Sequence, residues 1–275
     1  RLPIDTNLVR LFEASLSGAG RSAEQWVARE LRAVAGDLAP GEQAELDARF
    51  RNVGHAEGLS GSSLRKSVMP GTLGRHPLWE VAQIAASFAG KLARVGLAEM
   101  GSSTRDRVKP RTPHPVRPVF ERVAKAFELT DVELAVSDHI AAPAIACEDV
   151  PWVIVPAAVG SLGDAHALAA LARPMARIAL GVPWLGALGS HEVLALLVAF
   201  ARQVAPGFSA GPKERVEPLV EDYELRARRA LDRKRRRMLE ELAPMLERAP
   251  AIDEAAFAES VAATEARAAF LLSGS

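Results

Sequence analysis

The residue types that do chemistry are few here and poorly spaced for it. His191-Glu192 begins like a His-Glu-x-x-His helix. In that motif two imidazoles four positions apart share one face and one metal, and the glutamate acts as base. Ala195 stands where the second histidine must be, so His191-Glu192 reads as a surface pair at a helix start. The remaining histidines, His55, His76, His114, His139 and His166, show no i, i+4 spacing to one another. Cys147 lies on an apolar run beside Glu148 and Asp149, neighbours that raise a thiol pKa, and reads as a buried structural residue. As the single cysteine it excludes an internal disulfide framework and fits a reducing compartment. Ser60-Gly61-Ser62-Ser63 lacks the Gly-x-Ser-x-Gly setting of an activated serine. Neither Gly18-Ala19-Gly20-Arg21-Ser22 nor the stretch 58–63 continues into the Gly-Lys-Ser/Thr of a phosphate loop. The residues therefore predict no catalytic group, no metal site and no cofactor.

One charge feature stands out. Arg226, Arg228 and Arg229 are followed by the run Arg233-Lys234-Arg235-Arg236-Arg237. Five consecutive cations on a helix point in all directions and form no single stripe. Glu221, Asp222, Glu224, Asp232, Glu240 and Glu241 stand near enough to pair with them, which predicts a solvated helix. A docking surface for an acidic protein partner is the second reading and nucleic acid the third. Tyr223 is the lone neighbouring aromatic available for stacking, and Lys plus Arg equals Asp plus Glu at 34 each. A dedicated nucleic-acid or membrane-surface binder normally carries a basic excess.

The 275 residues suffice for one large domain or two modest ones. The prolines of segment 109–118 forbid a continuous helix and suggest a joint. They divide the chain into a helical region 1–108, the joint 109–118 and a domain 119–275. In the first region, Thr6-Asn7 caps a helix whose face carries Leu8, Leu11 and Phe12. A second helix carries Trp26, Val27, Leu31 and Val34, and a third starts near Pro40 and runs through Leu46 and Phe50. Residues 54–74 read as an irregular, mobile glycine-serine connection, and a longer amphipathic helix fills 77–97. After the joint comes a helix over 119–127, then short apolar strand-like runs at 132–136, 144–147 and 152–155. The last two are joined hairpin-fashion through Glu148-Asp149-Val150-Pro151. Helices follow at 164–180, 190–204, 212–248 (long and charged) and 252–272. The fold class is α+β, predominantly α-helical, with a small three-stranded sheet or hairpin. No fixed repeat of roughly 30–45 residues is present. The apolar stretch 165–188 is interrupted by Arg173, Pro174, Arg177 and Pro183, so no transmembrane segment is expected. There is no signal peptide, and the start at Arg1 suggests a piece of a longer protein, so cytoplasmic is the default location.

Helix, three strands, then Leu171-Ala172-Arg173-Pro174-Met175-Ala176-Arg177-Ile178: this order resembles the gluzincin metallopeptidases related to the membrane protease HtpX and the CAAX prenyl endopeptidases. In that family the helix commonly reads Leu-Ala-His-Glu-Leu-Gly-His-Ile. The resemblance places Arg173 and Arg177 at the two histidine ligands and Pro174 at the base. The family's third ligand is a glutamate four residues before the Asp of an Ala-Asp-Arg sequence. Glu265-Ala266-Arg267 is the counterpart, which puts the lost ligand at Ala262, or at Ala263 if the register slips by one. The resemblance covers about Val116 to Ser275 in element order, without the ligands or the base. It implies a pseudoenzyme, a degenerate metallopeptidase with no metal. The wider chain is similar to modules in large bacterial tetratricopeptide-repeat proteins, on the segments Arg75-His76-Pro77, Arg105-Asp106-Arg107-Val108 and 266–274. The expected role is a non-catalytic scaffold contacting a protein partner and the parent's repeats. Candidate contacts are Arg173, Arg177, Arg233, Lys234, Arg235, Arg236 and Arg237. Alternatives are a nucleic-acid-associated protein using Arg226 to Arg237, or a hydrolase with relocated ligands. Asp164 and Glu265 are the candidate internal partners of the two cleft arginines.

Overall fold

A computed structural model describes residues 5–52, 57–71, 73–93, 95–209, 213–250, 252 and 254–274. Among them are eleven α-helices and one small mixed sheet, a predominantly helical α+β fold. The chain forms two compact units, Arg1–His55 with Gly274–Ser275, and Ala56–Ser273. The boundary expected at 109–118 is therefore misplaced. Pro115 caps and Pro118 falls in the first turn of a helix, where a missing N–H costs nothing. Val108, just before the prolines, donates to Leu134 of the sheet, which ties this strap into the second unit.

The first unit holds α1 (Thr6–Gly18), α2 (Ser22–Val34) and α3 (Pro40–Asn52). Asp5, not Thr6-Asn7, caps α1, accepting from the amides of Asn7 and Leu8 at 3.1 and 3.2 Å. The expected apolar stripe faces outward: Leu8, Leu11, Phe12, Val27 and Leu31 are exposed. What α1 and α2 bury instead includes Glu13, Leu16, Ala28 and Arg32. Glu13 accepts from Arg29 at 2.8 Å and Arg32 at 2.7 Å, and Arg32 also reaches Asp37 and Glu42. Once a guanidinium and a carboxylate are buried together, each must stay matched, so this network fixes which faces meet. Arg10 and then Arg32 hold the Asp37 carboxyl below its ordinary range, and Arg32 does the same for Glu42. Gly54, His55 and the side chains of Val34 and Phe50 lie outside the described residues.

The second unit opens with a segment that is packed, not irregular. Leu59, Leu64, Val68 and Met69 enter the core. The one-turn helix α4 (Gly61–Ser63) passes into a π-turn over Leu64–Val68, closed by Met69 N–H donating to Leu64 carbonyl at 2.8 Å. The glycines permit close approach. A Cβ on Gly61 would stand 2.0 Å from the Ala179 carbonyl oxygen, and one on Gly74 would stand 2.0 Å from that of Arg65. Then come α5 (Leu78–Ala93) and α6 (Val116–Ala126).

Three strands follow: β1 (Glu133–Ser137), β2 (Ala144–Cys147) and β3 (Pro151–Pro156). Their order is β1-β3-β2, with β1 parallel and β2 antiparallel to β3. Both sheet faces are covered. Leu134, Ile145, Val153 and Val155 join the main core, and Ala135, Ala146, Trp152 and Ile154 join a smaller cluster with Leu97.

The remaining helices are α7 (Asp164–Ala179), α8 (Ser190–Ala201), α9 (Lys213–Ala230), α10 (Arg233–Leu246) and α11 (Glu254–Ser273). From Val193 to Ala201 every residue of α8 is buried, making it the central rod of the unit. The single helix expected over 212–248 is in fact α9 and α10. The break comes at Leu231-Asp232, where Asp232 accepts from Arg235 N–H at 2.7 Å and starts a new helix. No helix among the described residues is long and apolar enough to cross a membrane.

His76, buried, clasps the end of α10's connection to the start of α5. Its Nε2 donates to the Pro250 carbonyl at 3.0 Å, and its Nδ1 accepts from Leu78 N–H at 3.2 Å. Burial lowers its pKa against opposing help from Pro250 and Glu80. Because the folded value lies below the unfolded one, neutral His76 stabilises the fold above the ordinary pKa of about 6.5, and this stability is lost as pH falls through the folded value. Melting temperature is expected to decline below about pH 6.5 in the parent and to decline less in His76→Asn; identical pH profiles would refute the clasp. Gly61→Ala is expected to destabilise by about 2 kcal/mol or more through backbone overlap. The check is a lowered urea midpoint at constant m.

Candidate functional site

The face of α7 that carries the resemblance opens onto a cleft of about 290 Å³. Ala170, Arg173, Pro174 and Arg177 line one wall, Ala142 to Ile145 at the start of β2 another, and Glu265 of α11 the floor. Positions 170, 173, 174 and 177 share a face because each differs from another by three or four residues. Pro174 stands at the eleventh of sixteen residues of α7, and the helix runs through it unbroken. Its missing N–H leaves the Ala170 carbonyl without its helical donor, beside the cleft.

Two arginines point at this cleft and meet different fates. Arg177 is engaged through all three of its nitrogens. Its Nε donates to Glu265 Oε1 at 2.5 Å, Nη2 to Oε2 at 3.0 Å, and Nη1 to the Leu185 carbonyl at 2.5 Å. The Glu265 side chain is only 3% exposed, so the pair is a bidentate, largely desolvated clamp between α7 and α11. Gly186, at φ +100°, lets the loop after α7 close over the guanidinium. A Cβ there would lie 2.7 Å from Arg177 Nη1. Arg173 is exposed and makes no ion pair or hydrogen bond among the described residues. Asp164, the other internal acid considered, pairs with Arg122.

Ala262, the position reached by counting along the sequence, is exposed, and Ala263 is half-buried. The residue that α11 brings to Arg177 is Glu265, one turn further on. The α11 face packed inward is Phe257, Ser260, Val261, Thr264, Glu265, Ala268 and Ala269, and that face determines which side chain reaches α7.

The other candidates resolve into structural roles. Glu192 accepts from Gly189 N–H at 2.8 Å, closing the start of α8, and His191 is exposed. Burial, with Glu148 adding to it, pushes the Cys147 thiol up to about 11, so no thiolate is available near neutrality. Among the described residues no group of three or more His, Cys, Asp or Glu side chains is gathered for a metal. The basic run occupies the first turns of α10. Arg235 pairs with Asp232 and Arg237 with Glu241, each at 3.5 Å. Arg233, Lys234 and Arg236 have no ion pair among the described residues. Arg226 pairs with Asp222 at 2.9 Å on α9. The structure does not bring the basic run to the cleft: no residue of α10 lines it.

Reasoning from sequence missed Gly186 and the Leu185 carbonyl, whose roles depend on a loop path that no spacing encodes. It also missed Met238 and Met245, half-exposed on α10, although their i, i+7 spacing with Leu242 between them was a readable sign.

No protein-family model, curated protein or solved structure matches the chain.

Arg177→Met strands a buried carboxylate and is expected to cost about 3–4 kcal/mol in chemical denaturation. The double variant Arg177→Met, Glu265→Leu should recover most of that loss. Additive losses in the double-mutant cycle would show that the clamp does not couple the two helices.

Proposed function

We propose that this chain is a non-catalytic protein-interaction module built on a degenerate gluzincin-like scaffold, part of a larger bacterial repeat protein. The observation that carries the reading is the Arg177–Glu265 clamp. On α7, the positions four apart that the resemblance assigns to metal ligands hold guanidiniums, which are cationic and cannot ligate a metal. One of them consumes the nearest carboxylate. Pro174, at the position assigned to the base, has no titratable group. What such a cleft can do is tie α7 to α11 and leave Arg173 as a single positive charge at its mouth.

Protein purified without chelator is expected to contain well under one equivalent of zinc by elemental analysis. It should not cleave casein or a quenched fluorogenic peptide above a boiled control. Stoichiometric zinc, or hydrolysis abolished by Arg173→Ala or by chelation, would overturn this reading in favour of a hydrolase with relocated ligands.

A further inference from the structure

A groove of about 770 Å³ runs between α5 and α10, away from the cleft. Its base is Ile84 and Leu242, both buried, and its outer wall is Met238 and Met245, which are 45% and 51% exposed. Met238, Leu242 and Met245 follow the i, i+4, i+7 pattern of an apolar helical stripe. Here the stripe is only half covered, on a helix otherwise crowded with charge. From Lys234 to Met245 the groove extends about 16 Å, or three helical turns.

Its ends differ in charge. One end lies at the start of α10, where Lys234 and Arg235 line it and the run 233–237 concentrates five cations. Cations are placed against the positive end of the helix macrodipole there, an arrangement that is unfavourable by itself and favourable to an incoming anion. Asp232, which also lines this end, caps α10 and pairs with Arg235 at 3.5 Å, so Lys234 is the lining cation without an ion pair among the described residues. Glu80 and Glu241, which also line the groove, are paired with Arg65 and Arg237.

We infer that this groove binds an amphipathic α-helix of a partner protein, its apolar face on Met238, Leu242 and Met245 and its acidic first turn against Lys234 and Arg235. Acidic residues suit the first turn of the incoming helix as well, so it runs parallel to α10. The two methionines give an adaptable apolar wall without a preformed pocket for one side chain. This inference rests on the reading of the chain as an interaction module and names the partner's chemistry.

The test uses the whole chain and a fluorescein-labelled peptide of about 15 residues, with leucines at i, i+4, i+7 and i+11 and three glutamates in its first turn. Anisotropy should show saturable binding. Met238→Glu with Met245→Glu should weaken it by at least about tenfold. Both side chains are exposed enough for the variant to keep the parental circular dichroism and melting temperature. Lys234→Glu should weaken it about threefold at low salt and less at high salt. A peptide with its glutamates moved to the last turn should bind more weakly than the original. The inference is overturned if no peptide saturates, if the methionine variant binds equally well, or if a random DNA duplex binds there and displaces the peptide. It is also overturned if sedimentation shows a dimer that Met238→Glu dissolves while the peptide fails to bind, since a second copy would then be the occupant. These failures leave the zinc and hydrolysis results standing. Stoichiometric zinc would overturn the non-catalytic reading whatever the peptide does.

Discussion

A carboxylate withdrawn from water must meet a cation with matching geometry, and the second unit is organised around one such meeting. Arg177 on α7 and Glu265 on α11 engage through two parallel hydrogen bonds. The third donor direction is taken by the Leu185 carbonyl, which fixes the loop leaving α7. That loop passes so near that position 186 has no room for a Cβ beside the guanidinium. One pair of charges thus sets the register of two helices, the path of a turn and the floor of the cleft. Small and apolar residues along α7 and α11 supply the burial. The ion pair supplies uniqueness, because a slide of one turn would leave the Glu265 carboxylate buried and unmatched.

The same constraint acts in the first unit, where Glu13, Arg29 and Arg32 meet between α1 and α2. Periodicity alone puts Leu8, Leu11 and Phe12 inward, since an apolar stripe is the usual core face. A stripe reports only that a face is apolar, not that it is covered within the same unit. Matched buried charges are more demanding of geometry than leucines are, and in this unit they determine the contact. The sequence pattern was legible, and the inference drawn from it was inverted.

Elsewhere, legibility followed how local the signal was. The strand runs near 134, 145 and 153 stood out because they are short, apolar and bounded by turn residues. Their order was hidden, because β1 pairs with β3 in parallel across a long connection and no single strand records its neighbour. The break between α9 and α10 depends on one capping aspartate, Asp232, within a stretch where charges of both signs recur at helical spacing. The prolines of 109–118 looked like a joint because their effect on a helix interior is severe, whereas at a first turn it vanishes. At the cleft, the spacing of Arg173 and Arg177 was enough to place them on one face. Glu265 was a nameable partner for Arg177, but the alternative count to Ala262 could be resolved only by the packed face of α11.

The distribution of satisfied and unsatisfied groups separates the two concave surfaces. In the cleft, Arg177 and Glu265 neutralise each other and the loop at Gly186 closes over them, so that region is spent on internal cohesion. Arg173 remains there without an ion pair among the described residues, beside about 290 Å³. Along α10 the balance is the reverse. Cations cluster at the end of a helix whose dipole repels them, and two methionines stand half in water above a buried base. Asp232 and Glu241 pair with Arg235 and Arg237, while Arg233, Lys234 and Arg236 have no ion pair among the described residues. Interaction free energy is available where groups are left unmatched, because matched groups must first be separated before they can bind anything else. The α5–α10 groove is therefore the better-equipped binding surface, and the cleft that carries the resemblance is the better-equipped brace.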